Sequence, residues 1–160
     1  MDAPRIIRLT ESDWRTFAQL RLRALADTLG TGDPQYRDEI SFTAAQWRRR
    51  LRAHAQFAVT IDDRGVGLIG AQRENAVTVY LYSLWLDPSA RRRGLGRALV
   101  STAVEWARGE RARAVTLRVN TGNAAARGVY EGLGFQVTVA GSPSASSSRT
   151  DELVMSLSVD

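Results

Sequence analysis

Arg91-Arg92-Arg93-Gly94-Leu95-Gly96-Arg97 places four arginines and two glycines in seven consecutive positions. The run lies between a strand-like stretch ending at Leu86 and an amphipathic stretch from about Gly94 to Arg108, so it reads as a loop entering a helix. The first N–H groups of a helix have no partner within it, and the helix dipole adds partial positive charge there. Glycine lets the backbone approach an anion closely, and arginine adds formal charge. Together they point to a phosphate or pyrophosphate ligand. Two other phosphate motifs do not fit. A P-loop needs four residues between its glycines and then Lys-Ser or Lys-Thr, which are missing. A dinucleotide fingerprint needs a third glycine and an acid at the end of the next strand, and Val115-Thr116-Leu117-Arg118-Val119 carries none.

Asn123, Arg127 and Tyr130 form a second constellation. Their helical spacing puts Asn123 and Tyr130 on one face, two turns apart. A phenol is protonated at neutral pH and can act as a general acid. Taken alone, Tyr130 reads first as a helix tyrosine packed on a sheet. The chain has no cysteine and one histidine, His54. That excludes disulfides, thiolate zinc sites and a Cys nucleophile, and no metal is expected.

These residues need elements to hold them. Arg5 to Leu9 reads as a first strand, and Thr10 with Asp13 has capping-box spacing for a helix. Trp14, Phe17, Ala18, Leu22, Leu25 and Leu29 supply its buried stripe, and Gly30, Gly32 and Pro34 end it. Thr43-Ala44-Ala45-Gln46 opens a second helix with Trp47 and Leu51 on one face. Two strands, Phe57 to Ile61 and Val66 to Ala71, flank the turn Asp62-Asp63-Arg64-Gly65. A fourth strand spans Ala76 to Leu86, and the following helix buries Leu95, Ala98, Leu99, Thr102, Ala103 and Trp106. Then come a strand (Ala114 to Val119), a helix (Asn123 to Leu133), a strand to Val139, a Ser-rich flexible loop over 141–150 and a last strand, Leu153 to Val159. The order β-α-α-β-β-β-α-β-α-β-β predicts an α/β fold with a mixed central sheet flanked by helices: an antiparallel meander, then a βαβ crossover.

The length of 160 residues suits a single domain over 1–160. All 22 basic residues are arginine, which leaves no side-chain amine, and the net charge of +5 permits attraction to anionic ligands. Arg48, Arg49, Arg50 and Arg52 spread around a helix whose buried side is Trp47 and Leu51, with no interleaved aromatics. That pattern is a solvated helix face, and nucleic acid is not expected as a partner. The first residues lack a basic region followed by an apolar signal core, and no run approaches membrane-spanning length. A cytoplasmic location with no membrane partner is the expectation.

Three segments resemble the GNAT superfamily of N-acetyltransferases. They are Tyr82-Ser83-Leu84-Trp85-Leu86-Asp87-Pro88; Arg91-x-x-Gly94-x-Gly96, in the family's Gln/Arg-x-x-Gly-x-Gly/Ala form; and Asn123-Ala124-Ala125-Ala126-Arg127-Gly128-Val129-Tyr130-Glu131-Gly132-Leu133-Gly134-Phe135, like its Asn-x-x-Ala…Tyr…Gly-Phe segment. The resemblance implies acetyl-CoA as cosubstrate, with Leu84, Trp85 and Leu86 pairing their backbone with the pantetheine arm. It implies a bulge in the fourth strand, which splays from the fifth. The Leu84 N–H would polarise the thioester carbonyl. Arg92, Arg93, Gly94, Leu95, Gly96 and Arg97 would hold the pyrophosphate, Asn123 would bond the pantetheine side, and Tyr130 would protonate the departing thiolate.

The general base is less evident. Family members that acetylate protein N-termini often carry a glutamate five residues before the asparagine, and this chain has Arg118 there. Arg118 cannot accept a proton; it suits a carboxylate or phosphate on the acceptor, or is an exposed strand arginine. Candidate bases are Glu74, Glu39 or a water relay near Tyr80, Tyr82 and Ser83. Acceptor contacts implied by the resemblance come from the first two helices and the loop before the last strand, with Tyr36, Glu39, Tyr82 and Arg118 as candidates. The expected activity is acetyl transfer to a primary amine of a small molecule or peptide by direct attack in a ternary complex. The alternatives are a catalytically weak acyl-CoA-binding regulatory module and, behind it, a basic nucleic-acid-binding protein using Arg48, Arg49, Arg50 and Arg52. Dimers are common in the family, so a homodimer is one implied assembly.

Overall fold

The computed structural model describes residues 3–140 and 152–159. The expected flexible loop over 141–150 lies outside the described residues. Strand β1 (Arg5–Leu9) leads through a 3-10 turn (Glu11–Asp13) into α1 (Trp14–Thr28), followed by α2 (Pro34–Glu39), α3 (Ala44–Ala53), β2 (Ala55–Ile61), β3 (Arg64–Arg73) and β4 (Thr78–Leu86). A 3-10 turn (Pro88–Ala90) precedes α4 (Leu95–Gly109), and β5 (Ala114–Asn120), α5 (Ala124–Gly132), β6 (Gln136–Ala140) and β7 (Glu152–Ser158) complete the order.

The strands form one seven-stranded sheet in the order β1-β2-β3-β4-β5-β7-β6. β1 and β2 are antiparallel, β4 and β5 are parallel across α4, and β7 lies antiparallel to both β5 and β6. The sheet is therefore mixed, as expected. The β2–β3 turn is tighter than the four residues read from the sequence. It is two residues, Asp62 (φ 52°) and Asp63 (φ 63°), both left-handed as a type I′ hairpin requires.

One helix was missing from the expected order. α2 is only six residues long, too short for a periodic apolar stripe, but its start has a chemical signature. The Asp33 carboxylate accepts the Gln35 N–H at 2.8 Å, and Pro34 occupies the first turn, where its missing N–H costs nothing.

The chain divides into two compact units, one of the residues up to Gly70 with Ser83–Leu99, the other of Ala71–Tyr82 with the residues from Val100 onward. The core of the first contains Phe17, Leu20 and Ala24 from α1, Trp47 and Leu51 from α3, and Ala58, Leu68 and Trp85 from the strands. Phe17 meets Trp47 edge to face, with ring centroids 5.5 Å apart. The α1 stripe is rotated from the expected one: Leu20 and Ala24 are buried, while Leu29 is exposed because the helix ends at Thr28. α3 starts with a complete capping box. Gln46 donates its N–H to the Thr43 hydroxyl at 3.2 Å, and Thr43 returns its N–H to the Gln46 side chain at 2.8 Å.

In the second unit, β5 alternates strictly, burying Val115, Leu117 and Val119, and Leu117 and Val119 stand opposite Met155 and Leu153 of β7. The buried face of α4 is also rotated from the expected stripe. Val100, Ala103, Val104 and Ala107 are buried, whereas Thr102 and Trp106 lie at the margin. Small alanines occupy the centre of that face, and the bulky indole is left at its edge.

β3 owes its approach to β4 to Gly67. A Cβ added there would lie 2.6 Å from Leu86 Cδ2 and 3.1 Å from the Trp85 carbonyl oxygen. Gly67→Ala should destabilise the protein by about 1–3 kcal/mol through overpacking. Urea unfolding measures this, and an unchanged midpoint would show that the two strands have room to part.

Candidate functional site

β4 is interrupted where the resemblance implies a bulge. Ser83 has φ 57°, left-handed for a residue in mid-strand, a conformation that costs on the order of 1–3 kcal/mol and persists only when its surroundings enforce it. Registered pairing of β4 with β5 stops at Tyr80–Thr116, while β5 stays paired with β7 as far as Asn120. Ser83 is held by α1: the Arg21 Nη1 donates to its hydroxyl at 2.9 Å. Leu84 and Trp85, just past the bulge, line a cleft of about 230 Å³ with Arg21, Leu25, Thr28 and Gln35.

Glu39, a candidate base, cannot serve as one. Its side chain is only 2 % exposed, and its oxygens accept from Arg21 Nε at 3.0 Å and Nη2 at 3.3 Å, from Gln35 Nε2 at 3.0 Å and from Arg50 Nη1 at 3.0 Å. Burial alone would raise its pKa. The Arg21 and Gln35 hydrogen bonds and the charges of Arg21 and Arg50 outweigh burial and leave the carboxyl below its ordinary value. Glu39 is an ionised structural anchor.

The arginine-glycine turn is fixed at both ends. Before it, Asp87 accepts the Ser89 N–H at 3.0 Å and pairs with Arg23 at 2.7 Å. The Ser89 hydroxyl, then its N–H and Arg23, hold the Asp87 carboxyl at about 2 against the opposing effect of burial. Arg91 folds back onto the scaffold, donating Nε to the Leu86 carbonyl at 3.0 Å and Nη2 to Asp27 at 2.9 Å. The same Asp27 oxygen accepts the Trp85 indole N–H at 2.9 Å.

Beyond Arg91 the backbone is left-handed at Arg92 (φ 64°) and again at Gly94 (φ 75°). A Cβ at Gly94 would meet nothing within 4 Å, so glycine is needed there for its φ alone. The Ala98 N–H returns to the Gly94 carbonyl at 3.1 Å, which leaves the N–H groups of Leu95, Gly96 and Arg97 before the first α-helical bond. Arg92, Arg93 and Arg97 are exposed around them. Paired left-handed residues, first-turn N–H groups of α4 and exposed guanidiniums fit a polyanion such as a pyrophosphate.

In the second unit Tyr80 and Tyr82 stack with centroids 6.1 Å apart, and the Arg118 guanidinium lies 5.7 Å from the Tyr80 ring centre. Burial, with the charges of Glu152 and Glu74, raises the Tyr80 pKa, and Arg118 opposes them. Two acceptor candidates, Tyr82 and Arg118, are thus joined through Tyr80, which sequence reasoning had placed only near a water relay. Glu74 lies exposed in the turn before β4, at the opposite end of that strand from Leu84. Tyr36 is half-buried on α2 with Glu39.

Asn123 corrects an expectation. It is the N-cap of α5, outside the helix at φ −97° and ψ 75°, with its Oδ1 accepting the Ala126 N–H at 3.1 Å. It therefore does not share a helical face with Tyr130, because a short amide side chain is best used as a cap. Its amide N–H groups point away from that bond and can donate. Tyr130 is 8 % exposed and packs edge to face on Phe135 at 6.1 Å. Burial raises its phenol pKa, so it carries its proton throughout the neutral range.

Sequence reasoning missed Arg21, Gln35 and Asp27. Arg21 could have been suspected, since it interrupts the apolar run Leu20 to Leu25 on a helix face otherwise turned inward. Among the described residues, no group of three His, Cys, Asp or Glu side chains could hold a metal ion, and no helix is long and apolar enough to cross a membrane.

The mixed sheet, the bulged fourth strand and the arginine-glycine turn that follows it define an acetyltransferase fold. A family model described as the acetyltransferase (GNAT) family matches residues 10–135, and the chain belongs to that family. Among solved structures, a GNAT-family acetyltransferase from Streptococcus pneumoniae is 18% identical with a TM-score of 0.76, covering 99% of this chain and 100% of that one. The PaiA N-acetyltransferase from Thermoplasma acidophilum, in complex with coenzyme A, is 15% identical with a TM-score of 0.74, covering 98% and 99%. Mycothiol acetyltransferase of Beutenbergia cavernae is 44% identical over 61 residues, 38% of this chain. The match spans about a fifth (20%) of the length of that curated relative.

Glu39→Gln should destabilise the fold by about 3 kcal/mol or more, because two arginines then face a neutral group in a buried setting. The pH dependence carries the sign. With a folded pKa below the ordinary 4.5, Glu39 contributes fully above that pH and loses its contribution as pH falls through the folded value. Asp87 adds a second acid-labile step between 3.8 and about 2. Urea unfolding from pH 7 to 3 should show a steep acid limb in the parent and a shallower one in Glu39→Gln. Parallel limbs would remove the ionised-anchor assignment.

Proposed function

We propose that this chain moves the acetyl group of acetyl-CoA to a primary amine of a small molecule or peptide, by direct attack in a ternary complex. The observation that carries the proposal is the left-handed Arg92–Gly94 turn at the N-terminus of α4, placed directly after the bulged end of β4. The coenzyme A bound by the Thermoplasma acidophilum enzyme and the partial match to mycothiol acetyltransferase support the same reaction class.

Acetyl-CoA, when bound, supplies an acetyl thioester whose C–S bond breaks as the C–N bond to the acceptor forms, with one proton taken up by the departing sulfur. The chain's residues have separate tasks. Arg92, Arg93, Gly94, Leu95, Gly96 and Arg97 hold the pyrophosphate through backbone N–H groups and charge. Leu84, Trp85 and Leu86 offer strand backbone to the pantetheine arm, with the Leu84 N–H directed at the carbonyl oxygen. Asn123 donates its side-chain amide to the same arm, and Tyr130 keeps a proton on its phenol oxygen for transfer.

With Glu39 closed off by its partners and Glu74 in an exposed turn, the acceptor's proton passes to water near Ser83 and Tyr82. The basic stretch of α3 has another use than nucleic acid: Arg50 is bonded to Glu39, Arg52 to Glu11 at 2.8 Å, and Arg48 lies over Trp14. Among the described residues no acid is positioned to serve as base, which favours, as a second reading, a module that binds acyl-CoA without turnover.

Free-thiol release from acetyl-CoA over a panel of amines separates the two. Tyr130→Phe should lower kcat about 10²–10⁴-fold with coenzyme A affinity retained. Unimpaired turnover in that variant would exclude Tyr130 as the acid. Gly94→Asp should instead weaken coenzyme A binding, since it forces a side chain into a left-handed position and adds negative charge. Unaltered affinity by calorimetry would overturn the assignment of the turn.

A further inference from the structure

The cleft beside the bulge of β4 has a charge pattern that says what it takes. Arg21 is the only ionisable residue among the described residues that line it, and Ala24, Leu25, Leu29, Ser83 and Leu84 stand around it. Among the described residues, no carboxylate lines this space to hold an ammonium group. Behind the wall, Glu39 pairs with both Arg21 and Arg50, so one negative charge meets two positive ones and the cluster keeps a surplus of +1.

Arg50 is 38 % exposed and its charge is screened by solvent, whereas Arg21 is 12 % exposed. The surplus is therefore felt chiefly at Arg21, on the cleft side. Its Nε, one N–H of Nη2 and one of Nη1 are engaged by Glu39 and Ser83. A guanidinium has five N–H groups, so one remains on each Nη. The other walls are apolar or neutral, and the cleft of about 230 Å³ admits a molecule of amino-acid size.

From this geometry we infer that the cleft binds the acetyl acceptor, and that the acceptor is a small amino-carboxylate with a short apolar substituent. The carboxylate pairs with Arg21, the substituent lies against Ala24, Leu25 and Leu29, and the amine is held near Leu84. A monoanion matches the single surplus charge and gains charge-assisted hydrogen bonds from the two remaining donors. A cationic amine without a carboxylate meets only like charge. The inference rests on the acetyl-transfer reading and deepens it.

The test compares kcat/KM for thiol release with alanine, valine and leucine against their primary amides and the decarboxylated amines, using the full chain and acetyl-CoA. The free carboxylates should be preferred at least tenfold. Thr28→Glu adds a negative charge at the exposed rim of the cleft and should lower the carboxylate-to-amide ratio at least tenfold. Arg21→Gln should do the same where it folds, and Thr28→Glu keeps the test intact where it does not. Equal or better use of the amides or decarboxylated amines overturns the amino-carboxylate assignment and leaves acetyl transfer standing. A carboxylate preference that Thr28→Glu leaves unmoved places the acceptor outside this cleft and overturns the inference too. Coenzyme A binding without thiol release from any amine overturns acetyl transfer and this inference together.

Discussion

A single buried carboxylate holds the first three helices against the bulge of β4. Glu39 ends α2, yet its oxygens gather Arg21 from α1, Arg50 from α3 and Gln35 from its own helix. Through Arg21 the same network reaches Ser83, whose left-handed backbone breaks β4. A strand residue does not adopt that conformation unaided, so the helices and the bulge depend on one another. Isolated buried ion pairs often add little stability because desolvation offsets attraction. Here every oxygen of the carboxylate is used, which is the condition under which burial of a charge is tolerated.

A second carboxylate, Asp27, does similar work beside the arginine-glycine turn. It accepts from the Trp85 indole and from Arg91, tying the end of β4 to the start of the arginine turn. Arg91 is thereby part of the scaffold, and Arg92, Arg93 and Arg97 lie exposed after it. Arg91, Arg92 and Arg93 look equivalent in sequence, yet Arg91 is bonded to Leu86 and Asp27 while Arg92 and Arg93 follow in the exposed turn.

Local signals were legible from sequence. Strand β1, the capping box at Thr43, the crossover through α4 and the cap-and-turn chemistry before Leu95 all depend on residues within a few positions of each other. What depended on distant partners was not. Glu39 looked like a candidate base or acceptor contact because Arg21 and Arg50, 18 and 11 residues away in the chain, meet it only after α1, α2 and α3 have packed. The helical faces of α1 and α4 were misjudged by part of a turn, since burial is decided by which side chains fit the centre and not by apolarity alone: Ala107 is buried and Trp106 is not. Asn123 was read as a helix residue because spacing alone does not distinguish a cap from the turn that follows it.

The doubly left-handed turn at Arg92 and Gly94 is shaped by bonds within the protein: Asp87 to Ser89 before it, Arg91 to Leu86 and Asp27 at its base, and the first α4 bond after it. Its backbone entropy is already lost when the chain folds. An anion bound there, as proposed above, would have no loop to order, only exposed arginine side chains to settle, and its association would be governed by charge and diffusion more than by conformational search.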